Sequence, residues 1–282
     1  VSIEPVRIWG TDSGDFVESK VVWSALNALR PATVSPPAVV DLSDLALARP
    51  YAIATIAALG TLTQHKAELV LPKTQEARDY VLRCGLLEFF ADHHGALASS
   101  QRIVPVRCLQ KPSPDFADEI TRAWEREFDN MPVNLRPVLA DHLDEMIRNA
   151  LSHAESPIGC VVAGQVYPAS QTVEIAVLDL GQTVRGHLSK LSAHRDLSDT
   201  EAVLVATAEG VTGTPPGELN RLGEPNSGVG LFELRSYCES GGGEVTIVSG
   251  QACVTFGRER EPIKRSFAGG FPGCLVYMIF RV

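Results

Sequence analysis

The chain has 282 residues, 45% hydrophobic and 21% charged, with a formal net charge of −9. This is a globular composition, long enough for two domains of roughly 100–200 residues, and it excludes a disordered chain. The acidic balance, with no Lys/Arg-rich stripe, excludes nucleic acid as the main partner.

The opening VSIEPVRIWG has no basic region ahead of an apolar stretch, and no run approaches the ~18 apolar residues that span a bilayer. No membrane partner and a cytoplasmic location are therefore expected. Residues 39–45 (VVDLSDL) predict a short buried strand ending in a turn. Pro50 then opens an Ala-rich helix through Leu59, a favourable place for proline. Residues 67–72 (AELVLP) predict a second strand, and residues 74–84 a helix capped by Thr74 with Gln75 and Glu76 in its first turn. Strand and helix alternating at this spacing predict an α/β domain. His93 and His94 follow Phe89-Phe90 with no ligand set around them, which predicts a solvated helix end. The Pro- and Ser-rich residues 109–115 (LQKPSPD) mark the boundary between domains at 1–112 and 113–282.

In the second domain, residues 116–128 predict a helix with one acidic face, suited to pack on its own domain or on a second subunit. Residues 132–137 break the chain before a helix over 138–154. Strands at 159–166 and 172–178 follow, then a helix at 199–209 and a Gly/Pro-rich stretch at 210–228. A helix at 229–240 leads to strands near 245–249, 253–256 and 275–280. The expectation is a helix layer on one mixed sheet, an α+β sandwich. The cysteines Cys84, Cys108, Cys160, Cys238, Cys253 and Cys274 are scattered, with no C-x-x-C pair. They read as small buried hydrophobes in a reducing compartment.

At about 100° per residue, Leu139, Leu143, Met146, Ile147 and Ala150 share one face of the helix at 138–154. His142, Glu145, Asn149 and His153 form a polar stripe beside it. Glu145 and Asn149 project from successive turns in the same direction. A carboxylate one turn from a carboxamide can orient water and hold a hydrated Mg²⁺; a polar flank facing solvent is the plainer reading of the same stripe. Further on, Asp179 ends a strand and can accept a hydrogen bond from an exocyclic amine, with Gly181 letting backbone approach. Gly228 and Gly230, within Ser227-Gly228-Val229-Gly230-Leu231, open a helix whose N–H groups and dipole favour phosphate. Residues 210–226 (GVTGTPPGELNRLGEPN) have the composition and length of a functional lid.

The order E-x-x-x-N-A-x-x-H (Glu145 to His153), D-x-G (Asp179 to Gly181) and G-x-G-L (Gly228 to Leu231) resembles the nucleotide-binding boxes of the GHKL superfamily of ATPases and kinases. Anti-sigma-factor serine kinases and histidine-kinase ATPase domains are the most similar branches. The resemblance covers residues 138–282, including SGGGEVTIVSG at 240–250, and implies a Bergerat-type fold with ATP and Mg²⁺ as ligands. It implies Glu145 as general base for water or an acceptor hydroxyl, Asn149 as the magnesium ligand and Asp179 as reader of adenine, with Gly181 making room. Gly228, Val229, Gly230 and Leu231 would line the triphosphate. His153 would touch a phosphate or cap its helix. Two departures stand out: Thr183 where the family carries a second glycine, and Gly273-Cys274 where it carries glycine then threonine.

The first half is similar to STAS domains in its VVDLSDL strand, Ala-rich helix, AELVLP and RCGLLEFF (83–90). That likeness implies Ser43 as a phosphorylation site; the alternative is that Ser43 caps the following turn. The two resemblances together imply a bacterial partner-switching regulator, a STAS-like domain fused to a kinase or ATPase. They imply ATP or ADP and another protein as partners, and leave a homodimer open. A nucleotide-gated binding module and a scaffold with a degenerate pocket are the alternatives.

Overall fold

Apolar periodicity places the elements, and the way they cover one another sets the architecture. The computed structural model describes residues 6–11, 18–32, 37–91, 102–113, 115–128, 131–215, 217–223, 228–258 and 261–282. The expectations for His93, His94, Ser227 and parts of the 210–226 stretch lie partly or wholly outside them.

The first half comprises β1 (Val6–Arg7), β2 (Gly10–Thr11), α1 (Lys20–Ala32), β3 (Val39–Asp41), β4 (Leu45–Leu47), α2 (Pro50–Leu62), β5 (Glu68–Val70) and α3 (Gln75–Arg83). A 3-10 turn, Leu86–Phe89, closes it. β1, β3 and β5 form a parallel sheet in the order β1-β3-β5, and β2 pairs with β4. The single strand expected at 39–45 is therefore two, β3 and β4. They divide at a turn in which the Ser43 N–H donates to Asp41 Oδ1 at 2.8 Å. α2 is apolar all round and residues 50–60 are buried, as such a helix must be. Thr74 caps α3, its Oγ1 accepting the Ala77 N–H.

The rest comprises β6 (Ile103–Leu109), α4 (Phe116–Glu125), α5 (Leu135–His153), β7 (Cys160–Tyr167), β8 (Thr172–Asp179), α6 (Val184–Leu188), α7 (Asp199–Ala206), α8 (Gly230–Tyr237), β9 (Gly243–Phe256) and β10 (Ile263–Arg281). Five strands form one sheet in the order β6-β7-β8-β10-β9, every neighbouring pair antiparallel. The expected mixed sheet is corrected here. The helical crossover from β8 to β9 leaves those two strands parallel, but β10 returns between them and pairs antiparallel with both. Strands expected separately at 245–249 and 253–256 are one strand, β9. It bends at Gly250 (φ +57°), where the Asp199 carboxylate accepts the Gln251 N–H at 2.8 Å. β6, which precedes the expected boundary, is an edge strand of this sheet, so the sheet begins earlier in the chain than the Pro/Ser-rich stretch suggests.

Both faces of the five-stranded sheet are buried. Val162, Ile175, Val177, Ile247, Val276 and Met278 pack beneath helices including α4 and α5. Val161, Ala163, Ala176, Leu178, Leu275 and Tyr277 on the other face pack against the first half of the chain, where α2 lies across β7 and β8. Two-sided burial explains the near-continuous apolar runs VVAGQV and VEIAVLD. Glu174, the acid inside the second run, is 3% exposed. It is ion-paired with Arg49 at the start of α2 and accepts the Tyr277 hydroxyl at 2.5 Å. Among the described residues no helix is long and apolar enough to cross a membrane.

Candidate functional site

α5 forms the wall of a pocket on the helical side of the sheet. Leu139, Leu143, Met146, Ile147 and Ala150 turn into the core, which leaves Glu145, Asn149 and His153 half-buried on the adjoining stripe. The helix starts at Leu135 rather than at 138, because Pro137 fits its first turn, where no helical N–H is required. Asn149 donates its side-chain amide to Glu145 Oε1 at 3.2 Å, which turns the amide oxygen away from the carboxylate. Burial pushes the Glu145 carboxyl up, and the Asn149 hydrogen bond opposes it. Gly230, the first residue of α8, touches this carboxylate so closely that a Cβ there would collide with it.

The pocket floor is the C-terminal end of β8. Asp179 is 4% exposed and its carboxylate accepts the Gly181 N–H at 2.9 Å. Burial pushes its carboxyl up to about 7, against the pull of the Gly181 and Cys274 backbone N–H groups. Cys274 stands opposite Asp179 in register, and Ser249 stands opposite Cys274 on the next strand. The Ser249 hydroxyl donates to the Gly273 carbonyl at 2.7 Å and accepts the Val184 N–H at 2.9 Å, which fixes the start of α6 to the sheet.

The pocket holds a cavity of about 120 Å³ within about 840 Å³ of unfilled space that includes open solvent. Of the residues singled out in the sequence, Glu145, Asn149, His153, Asp179, Thr183, Gly228, Gly230 and Leu231 line it. Gly181 and Val229 do not. Gly181 packs on the last turn of α5, where a Cβ would collide with the Ala154 carbonyl, and Gln182 donates its N–H to that carbonyl at 2.6 Å. The glycine makes room for this helix end. Val229 precedes α8 and its carbonyl accepts the Glu233 N–H at 2.8 Å. Thr183 caps α6, its Oγ1 accepting the Gly186 N–H at 3.0 Å. Gly228 has φ +66° and lies against the Val211 carbonyl, which joins the two ends of the Gly/Pro-rich stretch.

Sequence reasoning missed the contribution of α6. Gln182, Val184, His187 and Leu188 line the pocket, but α6 is too short for periodicity to reveal. The His153 and His187 rings lie 4.7 Å apart, inclined at 43°. From the Gly/Pro-rich stretch, Val211, Thr212 and Gly213 reach the wall.

Ser43 is apart from this pocket. It is half-buried in the β3–β4 turn, and its carbonyl accepts the Lys73 N–H at 3.1 Å.

The chain matches no family model, no curated protein and no solved structure.

Proposed function

We propose that this pocket binds Mg·ATP in the manner of GHKL proteins, and that the chain is a regulatory ATP-dependent protein serine kinase or ATPase with a STAS-like first half. One observation carries the reading. Three sequence boxes separated by long stretches of chain supply side chains to a single pocket, with Glu145 against the glycine that opens α8. Gly228 and Gly230 would receive phosphate oxygens at the start of α8, and Asp179 on the floor would accept the adenine amine.

The donor set fits magnesium. Among the described residues no three His, Cys, Asp or Glu side chains come close enough to hold a metal by themselves. Mg²⁺ suits a single protein oxygen, that of Asn149, completed by phosphates and water. When bound it would neutralise phosphate charge. Glu145 would take the proton from an acceptor hydroxyl or a water, a task that its upward-pushed carboxyl suits at neutral pH.

A second reading is favoured by one feature. No Lys or Arg is among the described residues that line the pocket, so the wall offers no cation to a transferring phosphoryl group. A nucleotide-gated binding module with little turnover follows from that. Calorimetric titration with ATP and Mg²⁺ tests both readings. One-site binding weakened by Asn149→Ala and Asp179→Ala supports the pocket. Phosphate release or transfer lost in Glu145→Ala supports catalysis; binding without turnover supports the module. No heat up to millimolar ATP would leave a scaffold.

A further inference from the structure

The pocket differs in character along its length. At one end Glu145 and Gly230 meet where α8 begins; at the other, Asp179, Thr183 and two histidines surround the last turn of α5. Just over two turns of helix, roughly 12 Å of rise, separate Glu145 from His153. His187 comes from α6, yet its ring lies 4.7 Å from that of His153. Gly213 covers the Nε2 side of His187, so closely that a Cβ at 213 would lie 2.7 Å from that nitrogen. The other ring nitrogen, Nδ1, is buried and has no hydrogen-bond partner among the described residues. A buried polar atom in that condition is costly, and a ligand group can supply the missing partner.

Charge decides what kind of group that is. Burial, then the neighbouring His153 and Lys190, pull the His187 imidazole down to about 4, with Glu155 opposing. Burial and Lys190 lower His153 as well. Both rings are held toward the neutral form, and the nearby Lys190 is ion-paired with Glu155 at 3.2 Å, so the rings themselves offer an anion little. It suits an uncharged group with polar edges.

We propose that His187, braced by His153 and covered by Gly213, is a specificity-determining contact for the uncharged nucleoside part of the ligand, its Nδ1 hydrogen-bonded to the base edge or a ribose hydroxyl. The proposal rests on the nucleotide reading above and adds to it a residue outside the three boxes. It separates the two ends of the site: phosphates at Gly228 and Gly230, nucleoside at Asp179 and His187.

The test compares Mg·ATP, followed by calorimetry, with adenosine, followed by ligand-observed NMR. His187→Phe keeps a flat ring and removes both nitrogens. It is expected to weaken ATP and adenosine by the same factor, about tenfold, as befits one lost hydrogen bond at a buried site. Asn149→Ala is expected to weaken Mg·ATP and leave adenosine unchanged. Adenine alone then assigns the bond: an equal loss points to the base edge, no loss to the ribose. His187→Leu, which fills the site without a ring nitrogen, is the second variant should His187→Phe fold poorly, and the same shared loss is expected. A loss confined to ATP, or no loss for either ligand, overturns the proposal, as does native protein that binds ATP but not adenosine. If the native protein binds neither ligand, the nucleotide reading itself fails. If it binds both and His187→Phe binds them equally well, only the role of His187 fails.

Discussion

Asp179 carries the strongest conflict between stability and binding at the scale of single residues. Its folded carboxyl titrates near 7 because of burial, against an ordinary value of 3.8. Between those values the folded protein holds a proton that the unfolded chain has released, so the contribution of Asp179 to stability is fully present below 3.8 and is lost as pH rises through 7. Asp179→Asn, which stays neutral, is therefore expected to melt higher than the native protein at pH 8 and at nearly the same temperature at pH 4. The same substitution is expected to weaken ATP at least tenfold at pH 8, because a carboxamide that turns its N–H groups to the ligand loses the acceptor. Melting curves and titrations at the two pH values check both parts. Gly230 poses a sharper test of geometry. Gly230→Ala places a Cβ where the Glu145 carboxylate now lies. Since alanine favours helix and the Glu145 side chain can swing away, stability is expected to change by under about 1 kcal/mol, while any turnover falls at least tenfold. Equal turnover in the two proteins would remove Glu145 from the chemistry.

At the scale of elements, α5 and α2 behave oppositely. α5 is amphipathic, and its buried face follows the spacing of Leu139, Leu143, Met146, Ile147 and Ala150. Its polar stripe was equally legible, and the pocket lies on that stripe. α2 is buried all round, so no single face could be assigned to it in advance. Gly60 shows how tightly it is enclosed: a Cβ there would lie 2.5 Å from the Phe89 carbonyl and 2.9 Å from the Phe89 Cβ. Overpacking of this kind costs roughly 1–3 kcal/mol. Urea unfolding of Gly60→Ala is expected to show a loss in that range, although alanine is the better helix former; a gain would mean that the turn at Leu86–Phe89 yields easily.

For the whole molecule, the first half is a structural part of the second. α2 covers the back of β7 and β8, and β6 closes the edge of the sheet. Arg49 and Glu174 join the halves through an ion pair that is 32% exposed on the arginine side and 4% on the glutamate side. Removing one partner strands the other charge in the interior, which costs about 3–5 kcal/mol for a fully buried pair; the partial exposure of Arg49 brings the expectation to about 2 kcal/mol. Arg49→Met is thus expected to lower the urea midpoint clearly, and Arg49→Met with Glu174→Leu to recover most of the loss. A double variant no better than the single one would show that the pair contributes through packing and not through charge.

Features that depend on near neighbours along the chain were legible in the residues alone. The helix at α5, the cap at Thr74, the strands around Cys160–Tyr167 and Thr172–Asp179, and the glycines at the start of α8 all follow from spacing and residue type. Eight of the ten expected pocket residues could be named because their boxes sit at helix faces and strand ends, where direction is fixed locally. The remaining features depend on contacts between segments far apart in the chain. Strand order and sense depend on β10 inserting between β8 and β9. Gly181 faces the end of α5 because a distant helix ends there. His187 enters the pocket from a five-residue helix anchored through Ser249. The back of the sheet is covered by α2, which a short local pattern cannot reveal, because a helix apolar on every side says that it is buried but not by what.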